Sequence, residues 1–308
     1  MTARQSAYRA CSIKRPRRFR EDIVAIKKAI KEVLADDHPQ TVRQVFYRLV
    51  ARGVIEKTEQ QYQGTVIRLL TDMRLSGAVP FDHIIDSSRI THETQTFDNL
   101  VDAAEETASF YRRSALRESD VYIEIWCEKE ALAGIIYDAA SYYDVPVVVS
   151  KGMPSLTQLH TSFVNIYRAA EAGKESYLYQ FGDHDPTGAL IPQVIEDRMR
   201  WFCERADCQM PTVERYAITE EQIEEFGLPT RPTKRAGNSH AKNFKGRSVE
   251  LDALPSTELR RLVINCIEMH IPSATVETLR AAEESEREIL QKLARRAAKE
   301  VSRPERAP

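Results

Sequence analysis

The sequence predicts an α/β protein: a mostly parallel sheet covered by helices, preceded by a helical N-terminal region. Two observations carry this. From about residue 119, strand-length apolar runs alternate with helix-length amphipathic segments, the pattern of parallel strands joined by helices on both faces of a sheet. Before that point the apolar periodicity is helical. A third feature says where such a sheet would work: Glu128, Asp183 and Asp185 each follow a predicted strand closely, and ligands of open parallel sheets bind beyond the carboxyl ends of the strands. The 308 residues are enough for two domains. The boundaries fall at 1–92 for the helical region, 93–118 for a connecting helix, 119–272 for the sheet domain and 273–308 for a charged C-terminal helix and tail.

In order, Arg20 to Leu34 reads as a helix. Thr41 is placed to cap a second, from Val42 to about Arg52, that stops at Gly53. A third runs from Gln60 to Leu75 and ends near Gly77. Pro80 then leads into FDHIID, which predicts a short β-wing. Three helices and a wing of this size resemble a winged helix, a fold that often reads DNA; a small helical domain without that role is the alternative. Thr94 to Arg117 predicts a polar connecting helix. The strands VYIEIWC, VPVVVS, SYLYQF and VERYAI then alternate with helices over EALAGIIYDAASYY, Pro154–Ala172 and Thr187–Cys203. SVELDAL (Ser248–Leu254) predicts a further acidic strand. The charged run Ser273–Glu300 predicts a long helix, solvated or docked on a partner.

Composition bounds the function. At 42% hydrophobic and 29% charged residues, the chain fits a globular protein rather than a disordered one. No apolar run approaches the length of a membrane-spanning helix, so no membrane partner is expected. The first residues lack the apolar stretch of a secretory signal. The five scattered cysteines read as reduced thiols, as expected of a cytoplasmic protein. Net charge is only −2, but it is segregated. The first twenty residues carry seven Lys or Arg and no acid, and Arg231–Arg247 carries six and no acid. Segregated cations suit phosphate backbones; solvated flexible segments are the alternative.

The stretch GDHDPTG concentrates the chemistry. Residues i and i+2 of an extended chain point to one side, so Asp183 and Asp185 would converge while His184 turns away. Converging carboxylates repel unless a cation or a proton lies between them, and hard divalent cations take such oxygen ligands. The competing reading is a loop whose aspartates cap the following helix. Glu250 and Asp252, again two apart, either add to a metal shell or form a structural salt bridge.

Three segments then stand in a recognisable order: CEKEAL with Glu128 and Lys129, SKGMPS with Lys151, and GDHDPTG with Asp183 and Asp185. This order is similar to the Toprim (Rossmann-like, mostly parallel) domain of the DNA topoisomerase VI A subunit and its relative, the meiotic double-strand-break protein. Met153 stands where those proteins carry an aromatic residue. The resemblance implies Mg²⁺, with Mn²⁺ as a substitute, held by Glu128, Asp183 and Asp185 beside a scissile phosphate. A cation there would neutralise charge developing in phosphoryl transfer. Lys129 is either a phosphate contact or a surface ion-pair partner, and Lys151, Glu250 and Asp252 are additional candidates.

In TVRQVFYRLV, Val42, Val45, Phe46, Leu49 and Val50 form an apolar helical stripe. Tyr47 lies off it, and Arg43, four residues earlier, lies on the same side as Tyr47. A phenol with a pKa near 10 attacks phosphorus well only when its proton is removed or its anion stabilised, and Arg43 suits that role or a bidentate grip on phosphate. The same resemblance extends to this segment. The family's winged-helix domain carries an R-x-x-[aromatic]-Tyr motif with a nucleophilic last tyrosine, which reads here Arg43-Gln44-Val45-Phe46-Tyr47. It covers about Pro39 to Leu254 at the level of motifs.

The expected function is therefore that of a type IIB, topoisomerase VI A-like protein that cleaves double-stranded DNA by transesterification to Tyr47. The family implies a homodimer in which one chain's tyrosine faces the other chain's metal, and a separate B-type ATPase subunit. No P-loop occurs in this sequence. Two alternatives remain: a hydrolytic Toprim nuclease, in which water attacks and Tyr47 only packs, and a non-catalytic DNA-binding or regulatory protein.

Overall fold

Thr41 starts a helix for a local reason. Its hydroxyl accepts the Gln44 N–H at 3.1 Å while the Gln44 side chain accepts the Thr41 N–H at 2.9 Å, a reciprocal cap that satisfies two otherwise orphaned donors. In the computed structural model, which describes residues 19–86, 94–233, 244 and 246–301, this helix, α2 (Val42–Ala51), follows α1 (Arg20–Asp36). The third predicted helix is a continuous run with an irregular middle: a turn at Glu59–Gln61, a π-helical segment at Tyr62–Ile67, then α3 (Arg68–Leu75). Ile30, Val33, Val45, Leu49, Leu69 and Met73 close the interior between these helices.

The predicted wing takes another form. Phe81–His83 is a 3-10 turn, and Ile84 makes a single parallel bridge to Gln40, just ahead of α2. The residues on either side of Ile84 make the hydrogen bonds to that loop: Gln40 N–H donates to the His83 carbonyl at 3.1 Å and Ile85 N–H to the Gln40 carbonyl at 3.0 Å. Residues 87–93, like most of both basic segments, lie outside the described residues. The connecting helix is shorter than predicted. It is α4 (Leu100–Phe110), started by Asn99, whose side-chain oxygen accepts the Val101 and Asp102 N–H groups; a separate turn covers Ala115–Glu118.

The sheet matches the alternation read from the sequence. β1 (Val121–Cys127), β2 (Val147–Val149), β3 (Glu175–Phe181) and β4 (Thr212–Ala217) are parallel and ordered β2-β1-β3-β4. The crossovers hold α5 (Ala133–Ser141), α6 (Leu156–Glu171) and α7 (Ile191–Ala206). Alternation divides the faces. Trp126 and Leu178 point toward α6 and α7, packing with Leu159, Ile166, Ile195 and Met199. Ile123, Ile125, Tyr179 and Phe181 point the other way, into an interior continuous with the N-terminal helices. That second face is also covered by α8 (Ser256–Glu268), a helix the sequence reading did not foresee.

SVELDAL is not a strand. Ser248 and Val249 make single antiparallel bridges to Arg231 and His184, and Leu251–Ala253 is a 3-10 turn. The reason lies in the Leu251 N–H, which donates to the Asp183 side chain at 2.8 Å instead of to a ladder. The predicted tail helix is α9 (Ser273–Val301). It lies antiparallel to α4, with Arg295 facing Glu105 and Glu286 bonding the Tyr111 hydroxyl.

Candidate active site

The strand order places a switch point at the carboxyl ends of β1 and β3, because the chain leaves β1 for β2 on one side and returns to β3 on the other. Such a crevice is where parallel sheets bind ligands. Cys127 and Phe181 are in register as the last residues of their strands. Glu128 follows the first directly, and Gly182 and Asp183 follow the second. The Glu128 N–H donates to the Phe181 carbonyl, and the Glu128 carboxylate accepts the Asp183 N–H, both at 2.9 Å.

Two glycines allow this closeness. A Cβ on Gly188 would stand 2.1 Å from the Asp183 carbonyl oxygen and 3.3 Å from Glu128 Oε2. A Cβ on Gly182 would stand 2.5 Å from the same Glu128 oxygen. Asp185 Oδ1 accepts the Thr187 and Gly188 N–H groups at 2.9 and 2.8 Å, so Asp185 also caps the turn that starts α7. His184 pairs its backbone with Val249, and its ring lies beside Phe244 and 4.0 Å from Glu220.

Arg215, from β4, holds the loop from below. It donates to the carbonyls of Ile218 (2.9 Å), Gly188 (2.8 Å), Gly182 (3.2 Å) and Asp183 (2.6 Å). The sequence reading missed it. The available signal was a lone arginine inside the predicted strand VERYAI.

Burial, followed by the charges of Asp183 and Asp185, pushes the Glu128 carboxyl up to about 7. Asp183 is also raised by burial, although Lys129 and the Leu251 N–H oppose the shift. Glu128, Asp183 and Asp185 together offer the oxygen-only donor set a hard divalent cation takes. The donor chemistry fits Mg²⁺ or Mn²⁺. The contacts described engage one oxygen of each carboxylate, and among the described residues no three acidic, His or Cys side chains converge closely enough to form a ready-made metal site.

Lys129 ties this cluster to α2. Its ammonium lies 3.0 Å from Asp183 Oδ1, 2.5 Å from Asp252 Oδ2 and 3.4 Å from Glu250 Oε2. Burial alone would lower its pKa, but Asp252, Asp183 and Glu250 outweigh that and raise it. Lys129, Glu250 and Asp252 thus enter as a partly buried ion network. Lys151 stands apart, in an exposed ion pair with Glu130 at 2.7 Å.

Glu250 carries the network to the tyrosine motif. Its Oε2 lies 3.2 Å from Arg43 Nε, and its Oε1 lies 2.9 Å from Arg231. Tyr47 does not project into solvent as its place off the apolar stripe suggested. It is 3% exposed, edge-on to Phe46 at 5.3 Å and under the Lys57 ammonium at 5.0 Å. On the face that α2 turns away from its own helical core, Tyr47 shares the lining of a cavity with Lys57, Thr230, Arg231 and Glu250. Burial first, and then Glu250, raises the phenol's pKa. A cleft of about 620 Å³ opens between α2 and the sheet domain, lined by Arg43, Tyr62, Arg74, Lys129, Glu250 and Asp252.

Among the described residues no helix is long and apolar enough to cross a membrane. No protein-family model matches the chain, and no curated protein matches it.

Proposed function

We propose that the chain is a topoisomerase VI A-like, winged-helix and Toprim protein that cleaves double-stranded DNA, with Tyr47 as nucleophile and a divalent cation at Glu128, Asp183 and Asp185. One observation carries this reading. The candidate nucleophile and the candidate cation cluster lie in one chain, joined by Glu250 and Lys129. Nothing in the spacing of Tyr47 and Asp183 requires residues so far apart to share an ion network, whereas a phosphoryl-transfer site requires both.

In the proposed step the Tyr47 oxygen forms a bond to phosphorus and the bond to one deoxyribose oxygen breaks. The phenol gives up its proton, the leaving oxygen gains one, and one DNA end stays on the tyrosine. Arg43 and Lys129 would position the phosphate and offset its charge. When bound, Mg²⁺ or Mn²⁺ would neutralise charge developing on the phosphoryl oxygens. The homodimer and the separate ATPase subunit follow from the same resemblance and belong to the proposal; the pairing of one chain's tyrosine with the other chain's metal does not, because the link through Glu250 and Lys129 runs within one chain.

The burial of Tyr47 favours a second reading, a hydrolytic nuclease. Attack by the tyrosine requires its cover to open, and attack by water does not. A covalent-adduct assay separates the two. End-labelled supercoiled DNA is incubated with the chain and Mg²⁺ or Mn²⁺, quenched with detergent, and run with and without protease. Label that migrates with protein, and is lost in Tyr47→Phe and Asp183→Ala, supports transesterification. Free cut ends that survive Tyr47→Phe but not Asp183→Ala replace it with hydrolysis.

A further inference from the structure

We propose that Arg43, Lys57 and Arg231 form a phosphate-binding site beside Tyr47, and that the Glu250 carboxylate occupies it as an internal stand-in for the phosphate. The choice of a nucleic-acid phosphate rests on the DNA-cleavage reading; the anion site itself stands on the geometry.

The site is a cavity of about 330 Å³ lined by Arg43, Tyr47, Lys57, Thr58, Arg231 and Glu250. Its cations come from three separate stretches of chain: α2, the loop that follows it, and the segment after Pro229. Glu250 spans two of them, one oxygen on each guanidinium, at 3.2 and 2.9 Å. A phosphodiester presents the same features, a single negative charge and two unshared oxygens, and arginine forks suit it.

Positive charge remains in excess with Glu250 in place. The Lys57 ammonium finds a carbonyl, that of Pro229 at 2.7 Å. Burial lowers its pKa, and Arg231, Arg43 and Arg247 push in the same direction against Glu250. The second carboxylate at the cavity, Glu59, is exposed and accepts from Gln63. Glu250 is also the one carboxylate that Lys129 can release at little cost, since Lys129 keeps Asp252 and Asp183 at shorter distances. A phosphate in place of Glu250 would stand against the Tyr47 phenol.

The test uses the full chain in EDTA, so binding is read without cleavage. Labelled duplex DNA is titrated over a range of salt, and melting temperature is followed against inorganic phosphate. Glu250→Gln removes the stand-in's charge at nearly constant shape. It is expected to tighten duplex binding about tenfold at low salt and to steepen the salt dependence by about one phosphate contact. Arg231→Gln is expected to weaken binding and flatten that dependence, and the double variant to lose the gain. Tightened duplex binding assigns the site to nucleic-acid backbone. A melting shift with inorganic phosphate, seen in Glu250→Gln but not in the double variant, assigns it to a free phosphate group; either supports the anion site. The proposal is overturned if Glu250→Gln changes neither readout, or if its gain survives the loss of Arg231. Should Glu250→Gln not fold, Arg231→Gln decides, and unchanged DNA binding by it overturns the site. A chain that never cleaves DNA yet shows the Glu250→Gln gain keeps the site and loses the cleavage reading.

Discussion

The Lys129 ammonium lies 3.0 Å from the Asp183 carboxylate, so the residue next to one candidate cation ligand neutralises another. The two come from adjacent strand ends, and the same ammonium reaches Glu250 and Asp252 on the segment that closes over Tyr47. One side chain thus bridges the acidic cluster and the segment that carries Glu250.

Lys129→Met should therefore destabilise the fold strongly. It leaves Asp183, Glu250 and Asp252 facing one another without their shared cation, and removing one partner of a buried ion network costs about 3–5 kcal/mol. The loss should shrink as pH falls toward 4, where protonation relieves the repulsion. Urea melts of both proteins at pH 7 and pH 4.5 check this. A loss under about 1 kcal/mol at pH 7 would class the network with screened surface pairs.

Glu128 predicts a pH dependence of opposite sign to the usual carboxylate. Its folded-state pKa is raised to about 7, so between its ordinary value and 7 the folded chain holds a proton that the unfolded chain has lost. This group's contribution is full below the ordinary carboxylate range and is lost as pH rises through about 7. In EDTA at pH 8, Glu128→Gln should be more stable than the parent chain. Cation and proton compete for the same oxygens, so Mg²⁺ affinity should fall about tenfold per pH unit below 7 and level off above it. Calorimetric titration at pH 5.5, 6.5 and 7.5 measures this, and an affinity independent of pH would remove Glu128 from the site.

The sheet was legible because its signal is local. A strand such as VYIEIWC carries its own β pattern, and the position of Glu128 after it follows. Thr41 and Gln44 likewise announce the start of α2 within four residues. What was not legible is set by contacts distant in sequence. Tyr47 lies off the apolar stripe of α2, and nothing near it reveals that it is buried beside a cavity it lines with Thr230, Arg231 and Glu250. SVELDAL alternates like a strand, yet its Leu251 N–H goes to a side chain 68 positions away. Asp185 satisfied two readings at once, as a member of the cluster and as a cap, and spacing alone could not separate them.

The two loop glycines should differ in tolerance. At Gly188 an added Cβ meets the Asp183 carbonyl oxygen and carbon, at 2.1 and 3.1 Å, and backbone must move. At Gly182 it meets the ends of the Gln180 and Glu128 side chains, and the Gln180 amide, which has no hydrogen-bond partner among the described residues, is able to rotate away. Gly188→Ala is expected to cost about 1–3 kcal/mol and to abolish stabilisation by Mg²⁺. Gly182→Ala should cost less and weaken Mg²⁺ binding through Glu128. Thermal melts with and without Mg²⁺ rank the two, and equal losses would place the crowding elsewhere.

Arg215 should not be replaceable by lysine. Its guanidinium spreads four hydrogen bonds over the carbonyls of Gly182, Asp183, Gly188 and Ile218, a planar fork that a single ammonium on a flexible stem does not reproduce. In Arg215→Lys at least one of the four carbonyls loses this donor, since an ammonium has three N–H groups, at a cost of about 1–3 kcal/mol when the carbonyl is buried and has no other. The strain falls on the loop that aligns Asp183 and Asp185 with Glu128, because β3 and β4 below it are held by their own ladder. The variant should therefore keep the sheet while its loop amides, those of Asp183 and Gly188 among them, exchange faster with solvent, and its melting temperature should no longer rise with Mg²⁺. Hydrogen exchange read peptide by peptide distinguishes this from general unfolding. Uniformly faster exchange across β1 and β3 would make Arg215 a support of the sheet and not of the site.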